Sequence, residues 1–436
     1  MGSGTRGVYP AAPRAWALAA LLLIANTLSF VDRMLLTLLV APIREAFAIS
    51  DLQLSLLHGF AFALFFTALG FPIARLADRG SRARIIGAGV AVFSAMTAAC
   101  GLARDFVQMF LARAAVGSGA AAVSPAAYSL ISDSFPPEDR ARPLSLFTSS
   151  IFLGSGLAMI AGAGLLSLAP ALDLPLLREL EPWRRVFVLI ALPGLAAALI
   201  FALLREPARQ EQLRDAPATL QVSAVARYVW ERRSFYAPLI GGDALRSMLH
   251  NGVIAWLPTF FMRDFGWTPA IAGVRVGLAI AVFGSLGSFV GGAIARRLRA
   301  CGVTDADPRV AAAGGIARLA GIAAPLMPSA ELALASFSAF LFFSGVTSGV
   351  AVSAIQCITP NQMRAQVAAL FLFVINIAGL GVGASLVAAF TDLVFRDDAA
   401  LRYSIALAAA LTTPLGVAWM WRGLAAYRAE VAAARF

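Results

Sequence analysis

The sequence carries little charge and contains no lysine. Charged residues make up 14% of its 436 residues, all 35 lysine-plus-arginine positions are arginine, and the mean hydropathy is +0.79. Soluble domains carry about 25% charged residues, so this composition excludes a soluble protein and predicts a chain with many membrane spans. No phosphate-cradling loop is present, which excludes a primary pump.

Cysteine and histidine are also scarce, with three and two copies. The cysteines are far apart and lack the spacing of a metal or redox site. The sequence shows no Ser-His-Asp order and no His/Glu metal pair at helical spacing, so we predict that the protein is not an enzyme and expect neither metal nor cofactor. No basic stripe with interleaved aromatic residues appears, so we expect no nucleic-acid partner.

Apolar runs predict an all-α polytopic membrane protein of about twelve transmembrane helices. The first six runs cover 15–41, 54–76, 84–102, 106–133, 143–168 and 184–204, and the second six cover 236–261, 268–295, 309–327, 331–356, 366–395 and 400–424. They indicate one bundle over 15–204 and another over 235–425, with tails over 1–14 and 426–436. The second part of the polar linker 205–234 has the composition of an amphipathic helix lying on the membrane surface.

The distribution of arginine predicts the orientation. An even number of spans puts both termini on one side, and if that side is the cytoplasm, most loop arginines are cytoplasmic. The outer loop 170–185 also carries arginines, but its acidic residues largely cancel them. The first apolar run is too long for a signal peptide and lacks a small-residue cleavage site, so we expect it to remain as a span.

Two adjacent charges, Asp32 and Arg33, interrupt the first span. An Asp or Arg at the centre of a membrane helix costs about 2.5–3.5 kcal/mol, so both should face a water-filled cavity or find partners. Asn26, Ser29 and Arg33 recur at i, i+3 and i+7 and form one polar stripe, with Asp32 at its edge. A functional cavity and a structural salt bridge between helices are the two interpretations of this stripe.

Arg113 in the fourth span shares its helical face with Ser124. We expect its guanidinium to pair with Asp32 or with a substrate anion. Arginine stays charged at physiological pH, so Asp32 would carry a proton and Arg113 would hold Asp32 ionised until a proton or substrate competes. A purely structural partnership of the two residues is the alternative.

The second half offers a similar group in its seventh span. Asp243, Arg246 and His250 recur at i, i+3 and i+7, with Asn251 beside them, which indicates a cavity wall. Arg246 is a candidate for binding a phosphate or carboxylate head group, and His250 could titrate near neutral pH. Alternatively, Asp243 lies near the cytoplasmic interface and merely pairs with Arg246. Asn376 in the eleventh span could add a polar contact.

The two halves resemble each other in their loops. FPPEDRARPLSLF (135–147) follows the fourth span and ITPNQMRAQVAALF (358–371) follows the tenth, while ARLADRGSRAR (74–84) and GAIARRLRACG (292–302) follow the second and eighth. A repeat of six helices is how many secondary transporters are built. The alternating opening of two half-bundles around a midplane site is therefore the predicted mechanism.

The loop 74–84, RAAVGSGAA (113–121), WRRVF (183–187) and REP (205–207) together resemble the signatures of the major facilitator superfamily. A narrower resemblance is to bacterial spinster-like members, relatives of the sphingolipid and lysophospholipid transporters. It is carried by FVDR (30–33), WLPTFF (256–261), TPNQMRAQ (359–366) and FLFVINIAGLGVGASL (371–386).

The resemblance implies a monomeric transporter in the bacterial inner membrane that moves an amphipathic, anionic, lipid-like substrate. We expect proton coupling through Asp32, the main membrane carboxylate of the first half. Ala120 stands where that subfamily usually has a proton-carrying Glu, which weakens proton coupling by the family route. The alternatives are a drug or organic-anion/proton antiporter or a uniporter of the same fold, and, more distantly, a non-transporting receptor or scaffold.

The resemblance also implies a gate latch at the loop 74–84. Asp78, with Arg79 and Arg82 beside it, would meet a helix N-terminus of the opposite half or an arginine there, such as Arg142. The helix dipole favours an Asp at a helix N-terminus by about 0.3–1 kcal/mol, a contact weak enough to open in every cycle. A plain solvated loop charge is the alternative.

Overall fold

The computed structural model describes residues 9–136, 139–169, 171, 177–204, 206–207, 209, 222–303, 305–348, 354–355, 359 and 361–433. These residues are almost entirely helical and contain no β-strand, as the sequence predicted. The helix that lies within the predicted linker covers Val222–Glu231, and its Trp230 is largely exposed.

The α-helices are α1 (Ala12–Leu38), α2 (Val40–Phe47), α3 (Asp51–Ser55), α4 (Ala61–Arg79), α5 (Arg82–Leu102), α6 (Phe106–Ala120), α7 (Val123–Ser134), α8 (Ala141–Leu168), α9 (Pro182–Leu203), α10 (Val222–Glu231), α11 (Arg233–Phe265), α12 (Pro269–Ala279), α13 (Ser285–Ala300), α14 (Ala306–Ala317), α15 (Ala330–Ser348), α16 (Asn361–Asn376), α17 (Gly383–Ala389) and α18 (Leu401–Ala433). Wider π-helical turns cover Leu56–Phe60, Ile280–Gly284, Ile377–Val382 and Phe390–Phe395, and tighter 3₁₀ turns cover Arg318–Ile322, Ala324–Leu326 and Asp398–Ala400.

Ten helical stretches among the described residues are long and apolar enough to cross a membrane: Ala12–Leu38, Asp51–Gly70, Arg82–Leu102, Phe106–Ser134, Arg142–Leu168, Pro182–Leu203, Pro269–Ala300, Ala330–Ser348, Gln366–Phe395 and Asp398–Glu430. The two other predicted spans are also helical. The seventh is α11, whose polar residues lower its hydropathy, and the ninth is α14, which breaks into 3₁₀ turns from Arg318 onward. Together these stretches account for the twelve predicted spans.

The chain divides into two compact units, Met1–Ile49 with Ala61–Ala216 and Ser50–Phe60 with Pro217–Phe436. The predicted second span, 54–76, was assigned to the first half, whereas the segment Ser50–Phe60, which includes its first residues, belongs to the second unit. A capping box between Ser50 and Gln53 begins this segment.

Glycines let helices approach closely within each unit. In the first unit, a Cβ on Gly117 of α6 would collide with the Phe62 carbonyl of α4. In the second unit, a Cβ on Gly383 of α17 would collide with the Met248 carbonyl of α11. Neither position has room for a side chain, so these glycines fix the spacing of the helices that carry the polar residues.

Candidate functional site

The centre of the first unit is an ion pair between Asp32 of α1 and Arg113 of α6. Asp32 is 1% exposed and Arg113 is fully buried. The structure therefore brings together two residues that the sequence predicted as partners. Their roles in proton coupling stay a prediction.

Thr97 of α5 completes this group, although no sequence pattern singled it out. Its hydroxyl lies 2.9 Å from Oδ1 of Asp32 and 2.8 Å from the Phe93 carbonyl one turn earlier. The hydroxyl carries a single hydrogen, which points to one of these acceptors at a time. With Asp32 ionised, Thr97 donates to the carboxylate, and with Asp32 protonated, the carboxyl group can donate to Thr97 while Thr97 donates to Phe93.

Arg33 is held differently from Arg113. Its guanidinium lies 3.9 Å from the centre of the Phe62 ring, with the Phe66 and Phe30 rings 5.3 and 5.1 Å away. It forms no ion pair in the described part of the chain, and its Nε is buried there without a hydrogen-bond partner. Aromatic faces attract a cation without occupying its donor edges. Arg33 therefore leaves the group around Asp32 with one excess positive charge.

The predicted polar stripe of α1 does not have a single partner. The Asn26 amide donates to the Ser150 hydroxyl of α8 at 2.6 Å, whereas Arg33 rests on aromatic rings of α1 and α4. Ser29 is buried at 4% exposure, and Ser124 is half-buried in α7. The stripe thus divides between two neighbouring helices, since its ends lie two turns apart along α1 and contact different helices.

In the second unit, Arg246 of α11 binds the Asp243 carboxylate through two donors. Its Nε contacts Oδ1, and its Nη2 lies 3.1 Å from Oδ2. Asp243 is 1% exposed. The pairing of these two residues, one of the two sequence interpretations, is present in the structure.

A second arginine, Arg318, lies beside this pair. It is 3% exposed, its Nη2 lies 3.4 Å from the Arg246 carbonyl, and its guanidinium carbon lies 4.9 Å from the centre of the Phe340 ring. Arg318 was not among the residues predicted from the sequence, although an arginine inside the ninth apolar run is a visible signal. The group Asp243–Arg246–Arg318 also carries one excess positive charge.

The other predicted residues of the second unit lie on α11 and at the end of α16. The Asn251 amide donates to the Ser247 carbonyl at 2.9 Å, one turn back in α11, and His250 is half-buried beside it. Asn376 is half-buried at the end of α16, where the π-helical turn Ile377–Val382 begins. Such turns occur frequently at functional sites.

Of the predicted gate residues, Arg82 is 2% exposed and is held within the first unit through its Nε and Nη1. It contacts Asp133, and it donates to Glu206 at 2.6 Å and to Ser129 at 2.7 Å. Arg142 is exposed, and the side chains of Asp78 and Arg79 lie outside the described part. The latch therefore stays a prediction for these residues.

The Glu206 carboxyl group also accepts from the Ser81 hydroxyl at 2.7 Å. Burial raises the pKa of Glu206, but the hydrogen bonds from Ser81 and Arg82 outweigh that effect, so the pKa lies below its usual range. This network joins the start of α5 to the segment after α9.

Comparisons with known proteins agree with this architecture. The family model for the Major Facilitator Superfamily matches residues 22–388. An "MFS-type efflux pump" of Mycolicibacterium smegmatis is 28% identical over 96% of this chain and 94% of its own length. "Protein spinster homolog 1" of Homo sapiens is 30% identical over 68% of this chain and 57% of its own length, so the chain spans just over half of that relative.

Among solved structures, an inward-facing, unoccupied bacterial homolog of the human lysosomal transporter spinster superposes with a TM-score of 0.77. It is 27% identical, and the match covers 98% of both chains.

Proposed function

The chain belongs to the Major Facilitator Superfamily as a transporter related to the spinster proteins, and we propose that it moves an amphipathic, anionic, lipid-like substrate by alternating access coupled to protons. We place it in a bacterial inner membrane with both termini in the cytoplasm. The observation that carries the proposal is the buried group Asp32–Arg113–Thr97, with Arg33 beside it and no carboxylate for Arg33 among the described residues.

Proton coupling follows from the chemistry of this group. Asp32 is its carboxylate, while an arginine cannot give up its proton at physiological pH. Protonation of Asp32 would remove the counter-charge of Arg113 and make that guanidinium available to a substrate anion. A proton and a substrate would then compete for the same ion pair, which is how binding at one group drives release at the other.

The excess positive charge supports an anionic substrate. Ionisable groups inside a membrane protein usually mark a substrate or ion pathway, and arginine binds carboxylate and phosphate groups strongly. In the first unit, Arg33 is the first candidate for binding the substrate head group, because aromatic rings hold it and leave its donor edges available. In the second unit, Arg246 could bind a head group only by releasing Asp243. The half-buried or buried polar residues would add contacts: Asn26, Ser29, Ser124, His250, Asn251 and Asn376.

An organic-anion or drug/proton antiporter is the second candidate. The efflux pump of Mycolicibacterium smegmatis supports it, because its similarity extends over almost the full length of both chains. The same buried charges would serve either substrate class.

Transport in proteoliposomes tests the proposal. We expect the wild-type protein to move a fluorescent lysophosphatidate faster across an imposed pH gradient, and Asp32→Asn to lose that acceleration while still binding the lipid. Asp105→Asn is the matched control, because Asp105 caps the exposed start of α6 and Asn caps equally well.

Unchanged acceleration in Asp32→Asn would count against Asp32 as the proton carrier. Transport of organic anions without transport of lysophosphatidate would favour the second candidate. No transport of either class by the wild-type protein would contradict both.

A further inference from the structure

We propose that Arg318 is the oxyanion anchor of the second unit and binds the carboxylate or phosphate of the transported substrate. This inference rests on the proposed function and makes it more specific. It assigns the anion contact to a residue of the ninth span, while Arg246 stays paired with Asp243 as a structural ion pair.

The balance of charge and hydrogen bonds leads to Arg318. Asp243 accepts from two nitrogens of Arg246, so its carboxylate is engaged. Arg318 is 3% exposed, yet it forms no ion pair in the described part of the chain, and its Nε is buried there without a hydrogen-bond partner. Asp243 attracts Arg318 electrostatically but is already bound by two nitrogens of Arg246, so the group keeps one excess positive charge. Ionisable groups inside a membrane protein usually mark a substrate or ion pathway.

The contacts that Arg318 does make leave its Nε without a hydrogen bond. Its hydrogen bond to the Arg246 carbonyl is long at 3.4 Å, and its other contact is the face of Phe340. Both are weaker than an ion pair, and neither occupies Nε, which together with Nη2 forms one edge of the guanidinium. This planar edge matches the two oxygens of a carboxylate or phosphate.

The local backbone supports a ligand-binding role. The α-helix α14 ends at Ala317, and a 3₁₀ turn begins at Arg318 in the middle of the ninth span. A 3₁₀ stretch within a helix often marks a functional hinge, and here it directs the Arg318 side chain toward α11.

Ligand binding to the full-length protein in detergent tests the assignment. Decyl phosphate, inorganic phosphate and uncharged decyl glucoside are titrated, and dissociation constants are taken from the concentration dependence of the melting temperature. A lost hydrogen bond to a charged group weakens binding by about tenfold or more, so we expect Arg318→Gln to weaken decyl phosphate by at least that factor. We expect Arg318→Gln to bind decyl glucoside with the same dissociation constant as the wild-type protein.

Two further variants sharpen the test. Arg318→Lys keeps the charge but loses the planar fork, so we expect an intermediate dissociation constant. Arg422→Gln removes an exposed arginine of α18 and should leave the binding of all probes unchanged. If Arg318→Gln weakens the binding of inorganic phosphate as strongly as that of decyl phosphate, the result would support the anchor and identify a free anion as its ligand.

Two results would overturn the proposal: unchanged binding of both phosphates to Arg318→Gln, or an equal loss for decyl phosphate and decyl glucoside. If Arg318→Gln does not fold, Arg318→Lys decides, and an unchanged constant for decyl phosphate there overturns the proposal. If the wild-type protein transports the substrate and Arg318→Gln transports it equally well, that result would contradict this inference alone. Binding that depends on Arg318 without any transport would contradict the proposed function alone.

Discussion

The ion pair of Asp32 and Arg113 offers the sharpest test of the first unit, through a double-mutant cycle. The cycle compares the wild-type protein with Asp32→Asn, Arg113→Gln and the double variant. Both side chains are almost completely buried, so solvent cannot compensate either charge when its partner is removed.

The magnitude follows from this burial. Removing one partner of a buried ion pair leaves an uncompensated charge and costs about 3–5 kcal/mol. Asp32→Asn should be affected in this way, because Arg113 is fully buried and Thr97 cannot neutralise it. The double variant removes both charges, so we expect it to unfold at a higher denaturant concentration than Asp32→Asn alone.

The free energy of unfolding is measured in detergent by chemical denaturation monitored by circular dichroism. We expect the two single losses to sum to more than the loss in the double variant, with a coupling energy larger than the loss in Arg113→Gln alone. Asp105→Asn again serves as the control, with no measurable change. Additive losses would show that the two residues do not depend on each other and would refute the reasoning.

Three further predictions follow from local contacts. Gly117→Ala should cost about 1–3 kcal/mol of unfolding free energy, because the new methyl group meets the Phe62 carbonyl; Gly162→Ala, where a Cβ has ordinary space, should cost less. The lowered pKa of Glu206 stabilises the fold above the ordinary carboxyl pKa and is lost on acidification, so the wild-type protein should lose more thermal stability than Glu206→Gln between pH 7 and about pH 3. Ala120→Glu should steepen the pH dependence of transport if the family's proton route is dormant; an unaltered pH profile would contradict it.

The sequence predicted the all-α class because each span needs its own apolar length, a local property. It also predicted that Asp32 and Arg113 could pair, since a charge in a membrane helix must find a counter-charge. Thr97 and Arg318 could not be assigned in the same way. Their contacts depend on how α5 and the ninth span are rotated against their neighbours, and hydropathy does not determine that rotation.

The start of the second span illustrates the same limit. Its apolar pattern predicts a helix in the first half, but Asp51 accepts from Arg263 of α11 at 2.6 and 2.8 Å within the second unit. The backbone amide of Leu52 also donates to Asp392 at 2.7 Å. These partners lie more than two hundred residues away along the chain, so periodicity within the span carries no information about them.

The two units arrange their buried arginines in the same way. In each, one arginine is bound by a carboxylate, Arg113 by Asp32 and Arg246 by Asp243, while a second arginine rests on an aromatic ring. An arginine bound to a carboxylate can take a new anion only when the carboxylate is protonated or displaced. An arginine on an aromatic face can bind and release an anion without breaking an ion pair, which suits a carrier that must let its substrate go. We infer that the ring-held arginines make the transient substrate contacts, and that Asp32 with Arg113 couples those contacts to the proton.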